Sequence, residues 1–195
     1  MQSYFFMAAS LSKTSLKAPL RIYIRPMRLE DAKLVSQWYN DSDTKRYMST
    51  TVRGYKYSPQ DIKKEIQENN PREELWFMVC LKSNRKPIGQ AGIDDLDFLD
   101  MRGEIFFLIG DKNEKGKGYS KEIVQLLLNH AFKKLKLNSL FATVTVENIP
   151  SLKVLEKAGF KKIGIRREYN RIGGKYLDEV FLDFTAKDYK QQSKK

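Results

Sequence analysis

The sequence predicts an α+β domain of mixed α/β character, seven strands with helices between them, and three observations predict it. Two pairs of β-like runs are joined by short turn segments: Leu75 to Leu81 with Pro87 to Leu96 through Ser83-Asn84-Arg85-Lys86, and Lys161 to Tyr169 with Lys175 to Phe184 around Ile172-Gly173-Gly174. Between these pairs, Gly103 to Ile109 and Leu140 to Val146 read as strands separated by a long amphipathic segment, Lys121 to Leu137. Finally, 195 residues suit one domain, large enough to bury a core without disulfides.

The elements follow in order. Arg21 to Met27 alternates and is ended by Pro26, a first strand. Glu30-Asp31 opens a helix whose Ala32, Leu34, Val35, Trp38 and Tyr39 fall near one face, with acids where the helix dipole favours them. Residues 44 to 57 show no periodicity but carry Tyr47, Met48, Tyr55 and Tyr57, and are expected to be a loop. Ser58-Pro59-Gln60-Asp61 is a helix start, Ser as cap and Pro at the first helical position, running to about Asn69. In the segment after Gly118, Ile123, Leu127, Ala131 and Leu135 mark a buried face. Phe141 to Val146 is dense in Val and Thr, as a strand requires. Asn148 then caps a short helix with Pro150 just inside it and Gly159 as its left-handed stop. Residues 1–20, rich in Ser and Lys and without acids, read as a flexible extension or an upstream start, with a transit peptide as the other reading. Residues 21–189 form the domain, and 190–195 a solvated tail.

Composition narrows the function. The single cysteine, Cys80, cannot form an intramolecular disulfide and fits a reducing, cytoplasmic setting. The apolar run Tyr4 to Ala9 is far too short to span a bilayer. The formal charge of +12 suits nucleic acid, an anionic surface or a phosphorylated ligand. The lysines are scattered rather than gathered with interleaved aromatics, which disfavours a dedicated nucleic-acid module. No clustered Cys or His residues suggest a metal.

The stretch richest in chemistry is Asp111 to Ser120, between the strand ending at Ile109 and the long helix. Unpaired N–H groups and the positive end of a helix dipole converge there. Gly116 and Gly118 let an anion approach the main chain, and Lys115 and Lys117 add charge. An ordinary turn is the alternative.

Four pieces together carry a resemblance over residues 21 to 184: Ile24-Arg25-Pro26-Met27 with Glu30-Asp31; Gly103-Glu104-Ile105; Lys115-Gly116-Lys117-Gly118-Tyr119; and Asn148, Ser151 and Leu155-Glu156-Lys157-Ala158-Gly159-Phe160. In this order and spacing the chain resembles the GNAT superfamily of acyl-CoA N-acyltransferases, most closely its RimJ/RimL branch. The resemblance implies the GNAT fold, a central mixed and largely antiparallel seven-stranded sheet flanked by helices. Its parallel strands Gly103 to Ile109 and Leu140 to Val146 splay apart to form the acyl-CoA cleft. It implies acetyl-CoA as co-substrate without a metal, an amine as acceptor, and a ternary mechanism. Leu108 and Ile109 would present main-chain groups to the pantetheine, the amides of Lys115, Gly116, Lys117, Gly118, Tyr119 and Ser120 would hold the pyrophosphate, and Asn148 would contact pantetheine besides capping its helix. A homodimer is compatible with it.

An amine of pKa about 10.4 costs about 4 to 5 kcal/mol to hold neutral at pH 7, whereas a thiolate of pKa about 8.5 leaves readily. A base therefore matters more than an acid. By resemblance Glu104 is the candidate base, with a lysine-paired strand-end carboxylate as the alternative. Ser151 would lie near the thioester sulfur, or be simply a first-turn serine. Where many superfamily members place a tyrosine as acid this chain has Leu155, leaving Tyr119 or Tyr169 as other hydroxyls. His130 is expected to be structural. Net charge favours a peptide N-terminus or amino sugar as acceptor over a polyamine or aminoglycoside, unless local acids such as Asp94, Asp95, Asp97 and Asp100 override it. A non-catalytic CoA- or nucleic-acid-binding protein retaining the fold is the competing class.

Overall fold

The computed structural model describes residues 19–192. Most of the extension assigned to residues 1–20, and the last three residues of the tail, lie outside them. The described chain runs β1 (Ile22–Pro26), a 3-10 turn (Leu29–Asp31), α1 (Ala32–Asn40), α2 (Ser42–Lys45), α3 (Thr50–Gly54), α4 (Pro59–Glu68), β2 (Leu75–Leu81), β3 (Pro87–Asp97) and β4 (Arg102–Ile109). It continues through α5 (Tyr119–Asn129), a π-helical segment (His130–Leu135), β5 (Ser139–Thr145), α6 (Ile149–Ala158), β6 (Lys161–Ile172), β7 (Lys175–Thr185) and α7 (Ala186–Gln192). The strands form one seven-stranded sheet in the order β1-β2-β3-β4-β5-β7-β6. Every neighbouring pair is antiparallel except β4 with β5.

Strand periodicity divides the core into two layers. On β2, Phe77, Val79 and Leu81 point to the side where Ile123, Val124 and Leu127 of α5 pack, while Met78 and Cys80 point to the side covered by Ala32, Val35, Trp38 and Ile62. A strand buried on both faces needs this unbroken apolar run. Helix α4 begins as its sequence dictates: the Ser58 side chain accepts from the Asp61 N–H, and Asp61 accepts from the Ser58 N–H at 2.6 Å.

The opening Arg25 and Asp31 of the recognised motif form a forked ion pair with two bonds of 2.7 Å, and Asp31 also accepts the Arg28 N–H at 2.8 Å. Asp31 is almost fully buried beneath the first turn of α1, and its neighbourhood holds the Arg25 guanidinium firmly protonated, well above its ordinary pKa. The pair locks β1 to the helix that follows it.

Several elements differ from the sequence-based expectation. The loop expected over residues 44 to 57 holds the end of α2 and the whole of α3, helices capped by Asp41 and Ser49; four or five residues are too few to show a period. The long helix leaves α-geometry at His130, and Lys136 then turns left-handed at φ 61°. Residues 190 to 192, assigned to a solvated tail, belong to α7, whose Gln192 donates to the Ala158 carbonyl at 2.8 Å. No helix among the described residues is long and apolar enough to cross a membrane.

Candidate active site

Strands β4 and β5 pair over only three rungs, Arg102 with Ser139, Gly103 with Leu140 and Glu104 with Phe141. Beyond Glu104 they diverge and open a cleft of about 910 Å³. Glu104 to Leu108 form one lip, Phe141 to Thr145 the other, and Asn148, Ser151 and Leu155 of α6 close one end. The opposite wall comes from α1, the α2–α3 segment and β6.

Glu104 sits where the strands part. Its carboxylate takes the place of the missing rung, accepting the Thr143 N–H at 3.2 Å and the Thr143 hydroxyl at 2.6 Å through one oxygen. Burial pushes its pKa above the usual carboxylate value, against the pull of those two bonds. The lysine-paired alternative does not hold, because Glu104 forms no ion pair among the described residues. Across α6, Asn148 accepts the Ser151 N–H at 3.4 Å, and both side chains face the cleft. Leu108 lines it as well, while Ile109 packs toward the core at the far end of the lip.

The lip runs on into the Asp111–Ser120 turn. Gly116 and Gly118 adopt φ of 78° and 82°, which side-chain-bearing residues rarely do. A Cβ on Gly116 would meet nothing within 4 Å, and one on Gly118 only the Arg21 guanidinium at 3.7 Å. The glycines therefore serve conformation and leave an open space. No side chain caps α5, so the N–H groups of its first turn face that space, as anion binding requires. The Lys117 ammonium pairs with Glu114 at 2.9 Å, and that of Lys115 donates to the Thr44 hydroxyl at 3.0 Å. Tyr119 is buried in the core beneath Arg21 rather than lining the cleft, and His130 packs edge-on against Phe77 with its pKa lowered by burial.

The charge of the cleft is opposite to that of the chain. Glu65, Glu74, Asp94, Asp95, Glu104 and Glu179 line it, with Arg166 the only Lys or Arg among the described lining residues. Arg166 is itself 3.3 Å from Glu179 and stacked on Tyr169 and Phe181. Asp94 stands opposite Glu104 in the β3–β4 register and accepts the Trp76 indole N–H at 3.1 Å. Burial, opposed by that bond and assisted by Glu74 and Glu104, raises its pKa to about 7. The four-aspartate cluster of the sequence is thus divided: Asp95, Asp97 and Asp100 surround Arg102 at 3.1, 3.3 and 3.8 Å, and Asp94 is turned inward by a bulge where Asp95 has φ 49°.

A carboxylic acid with a raised folded-state pKa contributes stability below its unfolded value and loses it as pH rises through the folded one. Asp94→Asn is therefore expected to raise the Tm by several degrees at pH 8 and to change it little at pH 4. Thermal unfolding at both values checks this; an equal shift at both would mean that Asp94 does not titrate between them.

The family model described as "Acetyltransferase (GNAT) domain" matches residues 21–161. The chain belongs to the GNAT acetyltransferase family. It is an acetyl-CoA-dependent acyltransferase. This GNAT enzyme is 31% identical over 176 residues to p20 of Bacillus licheniformis, an uncharacterized N-acetyltransferase, covering 87% of this chain and 95% of p20. It is 33% identical over 182 residues to YjcK of Bacillus subtilis, a probable N-acetyltransferase, covering 87% and 97%. Among solved structures, its fold matches the spermidine N-acetyltransferase of Vibrio cholerae, solved with CoA and spermine, with a TM-score of 0.77 at 21% identity over 87% of this chain and 98% of that one.

Sequence reasoning missed Trp76, Glu65, Glu74, Glu179 and Arg21, and named Asp94 only as one of four local acids that could favour a cationic acceptor. Cross-strand register would have paired Asp94 with Glu104, but the bulge after Asp94 hides it. Arg21 reaches a carbonyl 96 positions away, a contact without local signal.

Proposed function

We propose that this acetyltransferase, of RimJ/RimL-like type and cytoplasmic, transfers an acetyl group from acetyl-CoA to a primary amine by direct attack in a ternary complex. The observation that carries the reading is the splay itself, with Glu104, Asn148 and Ser151 converging on one cleft whose lip leads to an uncapped helix N-terminus. Acetyl-CoA supplies an activated acyl carbon and a thiolate leaving group. The amides of Lys115 to Ser120 hold its pyrophosphate, and the backbone of Leu108 and Ile109, left without a β5 partner, pairs with its pantetheine. Glu104 accepts the ammonium proton, freeing the nitrogen lone pair to attack the thioester carbonyl; as the tetrahedral adduct collapses the C–S bond breaks, the Ser151 hydroxyl hydrogen-bonds the departing sulfur, and the second nitrogen proton ends on that sulfur to give the CoA thiol and the neutral amide. Burial raises the Glu104 pKa, which makes this carboxylate a stronger proton acceptor than an exposed one.

Acetyl-CoA at one hundred times its Kd is expected to stabilise the fold by about 2.7 kcal/mol. Gly118→Val should weaken that stabilisation at least tenfold in apparent Kd, because valine resists a φ of 82° and displaces the amides. Isothermal titration of both proteins with CoA checks it, and equal affinities would take the pyrophosphate away from this turn.

For the acceptor, the acidic lining of the cleft favours a primary amine carrying further positive charge, the polyamine class, over the neutral or monocationic peptide N-terminus or amino sugar that net charge suggested. A local field outweighs a distant one once water is excluded. A thiol-release assay with spermidine, an aminoglycoside, glucosamine and Ala-initiated peptides tests this. Spermidine should have the highest kcat/KM, and Asp94→Asn should lower that value for spermidine more than for any peptide. A peptide leading the panel would return the acceptor to the N-terminal class.

A further inference from the structure

Arg21 opens the described sheet at one end of the chain, yet its side chain works at the start of α5. Its Nη2 donates to the Lys117 carbonyl at 2.9 Å, its Nε to Glu122 Oε1 at 2.6 Å, and its backbone N–H to Glu122 Oε2 at 2.6 Å. The guanidinium also lies over the Tyr119 ring, 4.3 Å from its centroid. These contacts tie the residue just before β1 to Lys117 ahead of α5 and to Tyr119 and Glu122 at its start.

Glu122 is the acid of that turn, and its side chain is only 15% exposed. A carboxylate near the start of a helix is ordinarily drawn toward the free N–H groups there by the helix dipole. In this turn that outcome would occupy the donors an anion needs and set a negative charge beside it. Instead, Arg21 binds both Glu122 oxygens, one through its side chain and one through its main chain. By holding the Lys117 carbonyl it also fixes the peptide that leads into Gly118, whose left-handed conformation aims the following amides outward.

We infer that Arg21 is a positioning residue for the acyl donor: it sequesters the Glu122 carboxylate and orients the Lys117–Gly118 peptide, keeping the start of α5 open for a diphosphate. The inference rests on the pyrophosphate assignment proposed above. It makes no use of direct contact between Arg21 and the donor. It gives the arginine a role in donor affinity separable from the chemistry of transfer, which proceeds at the other end of the cleft around Glu104.

The test compares two acyl donors, acetyl-CoA and S-acetylpantetheine, which lacks the diphosphate. Arg21→Met is expected to raise the KM for acetyl-CoA about tenfold, the scale of one lost charge-assisted contact, with a far smaller change in kcat. The KM for S-acetylpantetheine should stay the same. Arg21→Lys, which keeps charge without the fork, should fall between. The decisive variant is Arg21→Met with Glu122→Ala: removing the released carboxylate should return most of the acetyl-CoA affinity. A purely structural loss would raise KM for both donors equally and would not be reversed by changing Glu122; either result, or an unchanged acetyl-CoA KM in Arg21→Met, overturns the inference. If the unaltered enzyme uses both donors with the same KM, the pyrophosphate assignment itself fails, and Arg21's role with it, which separates that failure from one confined to Arg21.

Discussion

Glu104→Gln is expected to lower kcat by about 10²- to 10⁴-fold at pH 7, the usual worth of a positioned base. The deficit should shrink as pH rises toward the amine pKa, because the acceptor then loses its proton without help. Glutamine keeps a carbonyl oxygen for the Thr143 N–H and hydroxyl, so the wedge between β4 and β5 survives and only the basic function is lost. The sign on the acid side is equally definite. Burial holds the Glu104 carboxyl above its ordinary pKa, so the unaltered enzyme loses activity as pH falls through that raised value, and the variant, with nothing to titrate there, lacks this limb. A kcat/KM profile from pH 5 to 10 checks both halves. A constant ratio between the proteins across that range would assign Glu104 to strand geometry alone. Ser151→Ala should cost less than Glu104→Gln, since a thiolate departs with little assistance.

Asp31→Ala is expected to destabilise the fold by about 3–5 kcal/mol, because it strands a partly buried guanidinium. For a domain of this size that is a drop in Tm on the order of 10 °C. Arg25 gives both terminal nitrogens to Asp31, which is 5% exposed, so water cannot replace the lost partner fully. Arg25→Met with Asp31→Leu should recover much of the loss, since an apolar pair requires no desolvation of charge. Chemical denaturation of the three variants measures this, and a cost below about 1 kcal/mol for Asp31→Ala would make the pair no more than a surface contact.

The strands and the longer helices were legible because their signals are local: the apolar run of β2 and the turn that joins it to β3, the Ser58–Pro59 start of α4, and the Gly159 stop of α6. The motif residues Glu104, Leu108, Asn148 and Ser151 were legible through resemblance, and they do meet at one cleft. What escaped was decided by partners distant in sequence. Charge along the chain announces Lys117 as a cation, but not that Glu114 already engages it. Four neighbouring aspartates look alike until a bulge at Asp95 turns Asp94 toward Trp76 and leaves the rest around Arg102. Net charge averages over the surface and so gave no view of the acidic cleft inside it.

The three-rung junction of β4 with β5 has a consequence for how the molecule opens. It divides the sheet into a half of β1 to β4 and a half of β5, β7 and β6, each internally laced by long antiparallel ladders. Cooperative opening units follow such lines of weak pairing, so amides along the seam exchange with solvent at a lower free energy than those within either half. In the placement proposed above, a donor laid along the β4 lip would act there as a borrowed strand. Hydrogen exchange at those amides of Ile105 to Ile109 that face away from β3 thereby becomes a gauge of occupancy, slowing as the seam fills and quickening with each turnover that empties it.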